Sequence, residues 1–191
     1  TLGLMSGSEQ SLRAAVFLGL SVDGRIARPN GDLEWLTSRG AAAGDAGFTP
    51  FLESVDSLVM GRKTYEAIAS YEDWPYLDRP IHVISTTLPA DADSRITVHR
   101  SPESAIDALQ RDGRRRAYVD GGETVRWFLA AKLVDEITLS HVPVLIGDGP
   151  SLFGPLGGDV DLEHVRTEVF DGGMVQTTYR VVDGPTPRAP E

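Results

Sequence analysis

The chain has 191 residues, 41% of them hydrophobic and 24% charged, the composition of one folded domain with a sizeable core. Its formal net charge of −10, from 28 acidic and 18 basic residues, argues against nucleic-acid and anionic-membrane partners. The absence of cysteine excludes disulfides, thiolate metal sites and a cysteine nucleophile, and fits a cytoplasmic protein.

No apolar run approaches the ~20 residues needed to cross a bilayer. Residues 1–10 are polar and rich in glycine and serine, unlike a signal peptide, and are expected to be disordered. A start at Thr1 rather than methionine points to a trimmed end. Ala15-Val16-Phe17-Leu18-Gly19-Leu20 has the length of a buried strand. Gly19 inside it predicts a close approach by another group, a ligand among the options. Two turn signals follow, Asp23-Gly24 and Pro29-Asn30-Gly31-Asp32, forming the kind of loop that carries function. Phe48, Phe51, Leu52 and Val55 recur at helical spacing and predict a helix over about residues 45–55, with Pro50 near its first turn.

Leu58-Val59-Met60 predicts the next buried strand, Gly61 a turn, and Thr64 with Glu66 a helix start. A helix N-terminus offers unpaired N–H groups and partial positive charge, and Arg62 and Lys63 add full charges. Phosphate suits such a place, and so does a surface turn with solvated cations. After a loop containing Trp74-Pro75-Tyr76, residues 81–85 and 96–99 read as strands. Ser101-Pro102-Glu103 opens a helix that Gly113 ends. Arg114-Arg115-Arg116 reads as a solvated charge run.

Residues 117–120 form a strand that runs into Gly121-Gly122-Glu123-Thr124 and a helix with Val125, Phe128, Leu129 and Leu133 on one face. This second strand–glycine–helix junction tips the balance towards a phosphate-rich ligand. A strand over 137–144 precedes a hairpin of residues 164–170 and 174–182 across Asp171-Gly172-Gly173. The proline-rich residues 184–191 are expected to be disordered. Strands alternating with helices and then a hairpin predict one α/β domain over residues 11–183, its sheet mostly parallel with an antiparallel edge.

Several chemistries lack their motif. There is no P-loop, no Gly-x-Ser-x-Gly elbow, and Leu152 follows Gly147-Asp148-Gly149 where a dinucleotide fingerprint needs glycine. His82, His99, His141 and His164 lie on separate strand-like segments without paired ligand spacing, so they read as structural and no metal is expected. The chemistry is therefore assigned to an organic cofactor.

Met60-Gly61-Arg62-Lys63-Thr64-Tyr65-Glu66 resembles the signature of dihydrofolate reductases. Residues 18–27 resemble the opening strand and loop of the reductase domain of bacterial riboflavin biosynthesis. Val119-Asp120-Gly121-Gly122-Glu123-Thr124, Leu133-Val134-Asp135-Glu136 and Pro143-Val144-Leu145-Ile146-Gly147 follow that superfamily in the same order, so the likeness spans roughly residues 13–182. It implies a dihydrofolate reductase-like three-layer α/β/α fold, NADPH as cofactor, hydride transfer to a pterin- or aminopyrimidine-like heterocycle, and a homodimer paired through a sheet edge or the hairpin. Arg62, Lys63, Thr64, Ser85, Thr86 and Arg100 would then hold the phosphates. Gly61, Gly121, Gly122, Glu123 and Thr124 would bring backbone N–H groups to the pyrophosphate, and Gly19, Ile26 and Ala27 would line the nicotinamide. The paired glycines of this superfamily often flank a cis peptide, and Asp120 stands where folate enzymes carry another glycine. On the substrate side the resemblance places Asp23, Trp35, Phe48 and Arg79. It makes Asp45 the buried carboxylate that grips the heterocycle and Ser140 its hydroxyl partner, although Asp45 equally suits a helix cap. Glu34-Trp35 replaces the Pro-Trp pair of folate enzymes. A catalytically silent NADP-binding module, a genuine dihydrofolate reductase, and an acyl or phosphoryl transferase using the same cradle are the rival readings.

Overall fold

The structure, a computed structural model, describes residues 11–69, 74–76, 78–182 and the backbone of 186–187. The expected disorder of 1–10 and 184–191 lies outside these residues, except that Thr186–Pro187 pairs antiparallel with Gly158–Asp159. Eight strands form one sheet in the order β4-β3-β2-β5-β1-β6-β9-β8. They are β1 (Arg13–Ser21), β2 (Ser57–Gly61), β3 (Ile81–Ile84), β4 (Ile96–His99), β5 (Arg116–Asp120), β6 (Val134–Val142), β8 (Leu162–Val169) and β9 (Val175–Val181), with β7 at Gly158–Asp159 outside this sheet. The first six are mutually parallel, and β9 and β8 close one edge antiparallel. The sheet is thus the mixed one expected.

Strand alternation sends successive side chains to opposite faces. Ala14, Val16, Ala117 and Val119 pack beneath α4 (Pro102–Arg111) and α5 (Gly122–Ala130), through Leu109, Val125 and Phe128. Ala15, Leu58, Met60 and Tyr118 pack on the other face beneath α2 (Phe48–Ser54) and α3 (Arg62–Ala69), through Phe51, Leu52, Tyr65 and Ile68. Two helical layers around one sheet make the three-layer dihydrofolate reductase-like fold. A smaller cluster of Trp35, Val142 and Met174 seats α1 (Glu34–Gly40) beyond the end of β6. Among the described residues no helix is long and apolar enough to cross a membrane.

Three expectations shift. α2 begins at Phe48 rather than near Asp45, because Gly44, Ala46 and Gly47 all have positive φ (63°, 46° and 81°) and cannot continue a right-handed helix. α5 ends at Ala130, and left-handed Lys132 (φ 57°) turns Leu133 off the helix towards β6, which starts at Val134. Arg114-Arg115-Arg116 is not merely solvated. Arg114 Nη1 donates to the carbonyl of Asp56, the Arg115 and Arg116 amides donate to its Oδ2 (2.7 and 3.3 Å), and Arg116 pairs with Glu136 at 2.9 Å. The run fastens the start of β5 to the start of β2.

Candidate active site

Two parallel strands that lie side by side, β2 and β5, each hand over to a helix through a glycine, Gly61 at the end of β2 and Gly121 after β5, so the N-termini of α3 and α5 open next to each other. The junctions interlock. A Cβ on Gly121, whose φ is 89°, would sit 2.7 Å from Thr64 Oγ1, and a Cβ on Gly61 would sit 3.5 Å from Thr124 Oγ1. A Cβ on Gly122 would come within 2.9 Å of the Leu152 carbonyl oxygen. Only glycine fits Gly121 and Gly122, and no side chain caps α5, leaving its first amides for another acceptor. Glu123 in that first turn is exposed, so its own contribution to an anion site is its backbone. All peptide bonds among the described residues are trans, those around Gly121 included, in contrast to the cis peptide that the resemblance suggested.

Beside this pair of helix starts lies the loop after β3. Ser85 Oγ accepts from the amides of Thr87 and Leu88 (3.2 and 2.9 Å), folding the loop into a tight turn. Arg100 Nη1 donates to the carbonyls of Ser85 and Leu88 (2.8 and 2.7 Å) and clips the same turn from β4. Arg62 Nη1 donates to Thr87 Oγ1 at 3.1 Å, with Lys63 and Thr86 exposed nearby in sequence. Arg62, Thr87 and Ser85 are therefore brought together, and Arg100 shapes the loop. Thr87 was absent from the sequence-derived set, although it directly follows Ser85-Thr86.

The loop after β1 is tied to residues 144–152. Asp23 accepts from the amides of Ile146 and Gly147 (3.2 and 2.8 Å), and hydrogen bonds from Ser21 and these amides hold its carboxyl at about 2. Arg25 Nη1 donates to the Gly149 carbonyl, and the Ile26 amide to that of Pro150. Asp23 is thus engaged as a latch that places Ile26 and Ala27, rather than turned to a substrate. The close approach predicted at Gly19 is made by Leu36 of α1, whose Cδ1 would lie 2.5 Å from a Cβ there.

On the α2 face, Tyr118 donates to the Phe17 carbonyl at 2.9 Å, and its ring meets Phe48 and Phe51 edge-on. Phe17 and Phe48 are half-buried, 5.5 Å apart, and form an aromatic wall. Two residues beyond Tyr118, on the same face, is Asp120 at the end of β5, paired with Met60 of β2. The residue keeps some exposure, but its carboxyl is desolvated, and this raises its pKa to about 6 against the opposing hydrogen bonds of Tyr118 and the Gly121 amide. Sequence reading treated Asp120 only as a missing glycine. An acid ending a buried strand just before Gly-Gly was the signal available.

Ser140, opposite Gly19 on β6, accepts from Gln176 Nε2 at 2.9 Å, and the same nitrogen donates to the Ala46 carbonyl at 3.0 Å. Asp45 is exposed, and its carboxylate accepts from the amide and hydroxyl of Thr49 (3.1 and 2.8 Å) at the start of α2. The expected Asp45–Ser140 partnership is not formed: Asp45 acts as a helix cap, and a neutral amide fills the space beside Ser140. Trp35 is buried with its Nε1 unpartnered, and Arg79 lies in the loop before β3, its amide donating to the Tyr76 carbonyl. Among the described residues no group of three or more metal-ligating side chains assembles.

Residues 15–176 match the model of the RibD C-terminal domain. The chain belongs to the RibD C-terminal domain family. It is 29% identical over 170 residues to the uncharacterized protein YwjB of Bacillus subtilis, covering 87% of this chain and 97% of that one. The crystal structure of a proposed riboflavin biosynthesis protein from Shewanella sp. PV-4 superposes with a TM-score of 0.79 at 35% identity, over 89% of this chain and 99% of that one. Dihydrofolate reductase from Enterococcus faecalis, complexed with NADP(H), shares the fold with a TM-score of 0.65 at 20% identity, over 91% and 98% of the two chains.

Proposed function

We propose that this RibD-type domain is an NADPH-dependent reductase of a neutral, pyrimidine-like heterocycle. The observation that carries the reading is the pairing of two glycine-led helix starts, that of α5 without a side-chain cap, next to the Arg62–Thr87 loop and beside the desolvated Asp120 carboxyl that ends β5. The residues suit the cofactor: Gly121 and Gly122 leave no room for a Cβ, the uncapped first amides of α5 would receive the pyrophosphate, and Arg62 with Lys63 would supply positive charge for a 2′-phosphate. NADPH when bound supplies the hydride. The chain's own part is to orient both reactants, exclude water with Phe17 and Phe48, and hold a proton on Asp120.

The substrate class follows from what stands where the resemblance placed a buried carboxylate. A buried carboxylate favours a cationic amidine edge, as on a pterin, but Asp45 is turned out to solvent. In its place are Ser140 and the amide of Gln176, neutral groups suited to the carbonyl and N–H edge of a neutral ring. We also propose a second copy of the chain as a partner, paired through β8, all eight residues of which are exposed.

Titration with NADPH and with NADH tests the cofactor assignment. Native protein is expected to favour NADPH, Arg62→Ala to lose that preference, and Gly121→Val, checked for folding by circular dichroism, to bind neither. Equal affinity for both cofactors in native protein, or none for either, overturns the reading.

A further inference from the structure

β4 is a four-residue edge strand with β3 as its only neighbour among the described residues, yet Arg100 at its end clips the loop that Arg62 reaches. Its hold on β3 includes a contact that the sequence spacing hid. His82 of β3 and His99 of β4 face α4 together, with His82 Nδ1 and His99 Nε2 2.8 Å apart. Their ring centres are 5.0 Å apart and the planes differ by only 22°. Subtracting the nitrogen–nitrogen contact leaves very nearly the two ring radii, so the rings meet end to end in nearly one plane. That is an in-line N–H···N hydrogen bond rather than a stack. It holds one proton: one ring donates and the other accepts. The acceptor's lone pair points at the donor's proton and so is not free for a metal.

We propose that the His82–His99 hydrogen bond is the positioning device of the phosphate loop at residues 85–88. The inference rests on reading this loop as the 2′-phosphate site of the cofactor. The link is short and continuous. The Ser85 amide donates to the His99 carbonyl at 2.9 Å, and Ser85 Oγ then holds the Thr87 and Leu88 amides. Arg100, the residue after His99, holds the Ser85 and Leu88 carbonyls. The imidazole pair fixes the two strands from which both halves of the turn are held.

The charged groups acting on the pair are Arg111 and Asp112 at the end of α4 and Arg114 ahead of β5. Two cations against one carboxylate disfavour a charged pair. Burial acts in the same direction, lowering His82 to about 4 and His99 below its ordinary value. A first proton on His99 leaves its bond to neutral His82 intact, whereas a second puts two imidazolium donors face to face and breaks it.

The test uses calorimetric titration with NADP+ and NAD+, together with the amide resonances of Thr87 and Leu88 in cofactor-free protein. His99→Ala is expected to weaken NADP+ by roughly tenfold while leaving NAD+ unchanged. His99→Gln, whose side-chain amide reaches the place of the ring Nε2 and does not titrate, is expected to restore NADP+ affinity. The Thr87 and Leu88 resonances should move with His99→Ala, recover with His99→Gln, and titrate on acidification in native protein but not in His99→Gln. Should His99→Ala fail to fold, His82→Ala removes the same hydrogen bond from the β3 side and takes its place in the comparison. Unchanged resonances in His99→Ala, or an unchanged NADP+-to-NAD+ ratio, overturn the positioning role. Resonances that respond in a protein that binds no NADP+ support the role and overturn the cofactor reading instead.

Discussion

Asp120 ends β5 where ionisation is costly, since its carboxyl is largely desolvated beside Tyr118. Desolvation raises its pKa to about 6, so the acid form is still populated near neutrality. The sign of the consequence is fixed. If the protonated carboxyl donates to the heterocycle, activity is full below about pH 6 and falls as the pH rises through it. Asp120→Asn is expected to lower kcat by about 10²–10⁴-fold and to remove that alkaline limb. A pH profile of kcat/KM for both proteins checks this, and an unchanged limb in the variant would assign it to another group. Asp45 shows the opposite case. The resemblance placed it at the site, but the positive-φ residues Gly44, Ala46 and Gly47 on either side of it direct its side chain to Thr49. Such backbone turns leave a weak trace in residue spacing, which is why position alone could not separate a cap from a substrate anchor.

At the scale of elements, the apolar runs of β1, β2, β3 and β5 and the glycine junctions at Gly61 and Gly121 were legible because each depends on neighbours in sequence. Contacts between distant segments were not. The arginine run looked like a solvated face since Asp56, its partner, lies about sixty residues earlier, just ahead of another strand. The histidine pair was invisible for the same reason. Asp56 has a testable weight here. Its carboxylate is the acceptor for two backbone amides at the entrance of β5, and it also receives the Ser57 hydroxyl at 2.9 Å. Removing it leaves those amides to a half-buried environment, so Asp56→Ala should lower stability by about 1–3 kcal/mol. Urea denaturation would report this as a lower midpoint at constant slope. No shift in midpoint would mean that water replaces the carboxylate without loss.

For the whole molecule, the two edges of the sheet are treated differently. β4 is short, held by the histidine pair and followed at once by α4. β8 is twice as long, with all eight residues exposed and no neighbour on its outer side among the described residues. Leu162, Val165 and Val169 of β8 are exposed large apolar side chains, as are Val175 on β9 and Val182 just beyond it. An open ladder of this length usually carries deterrents, and β8 has neither proline nor lysine, only charged side chains of both signs and a bulge at Val165. Its sequence is instead self-complementary. Antiparallel pairing of two copies about Thr167 sets Val165 opposite Val169 and Arg166 opposite Glu168, apolar against apolar and cation against anion, under the twofold symmetry of a closed dimer. Sedimentation velocity at micromolar concentration is expected to give a dimer. Val169 is 73% exposed, so Val169→Lys should leave the fold intact while placing a charge against Val165 of the other copy, and should give a monomer. A native protein that stays monomeric at tens of micromolar, or a Val169→Lys variant that dimerises as well as native, would remove β8 as the interface and leave its valines to some other occupant.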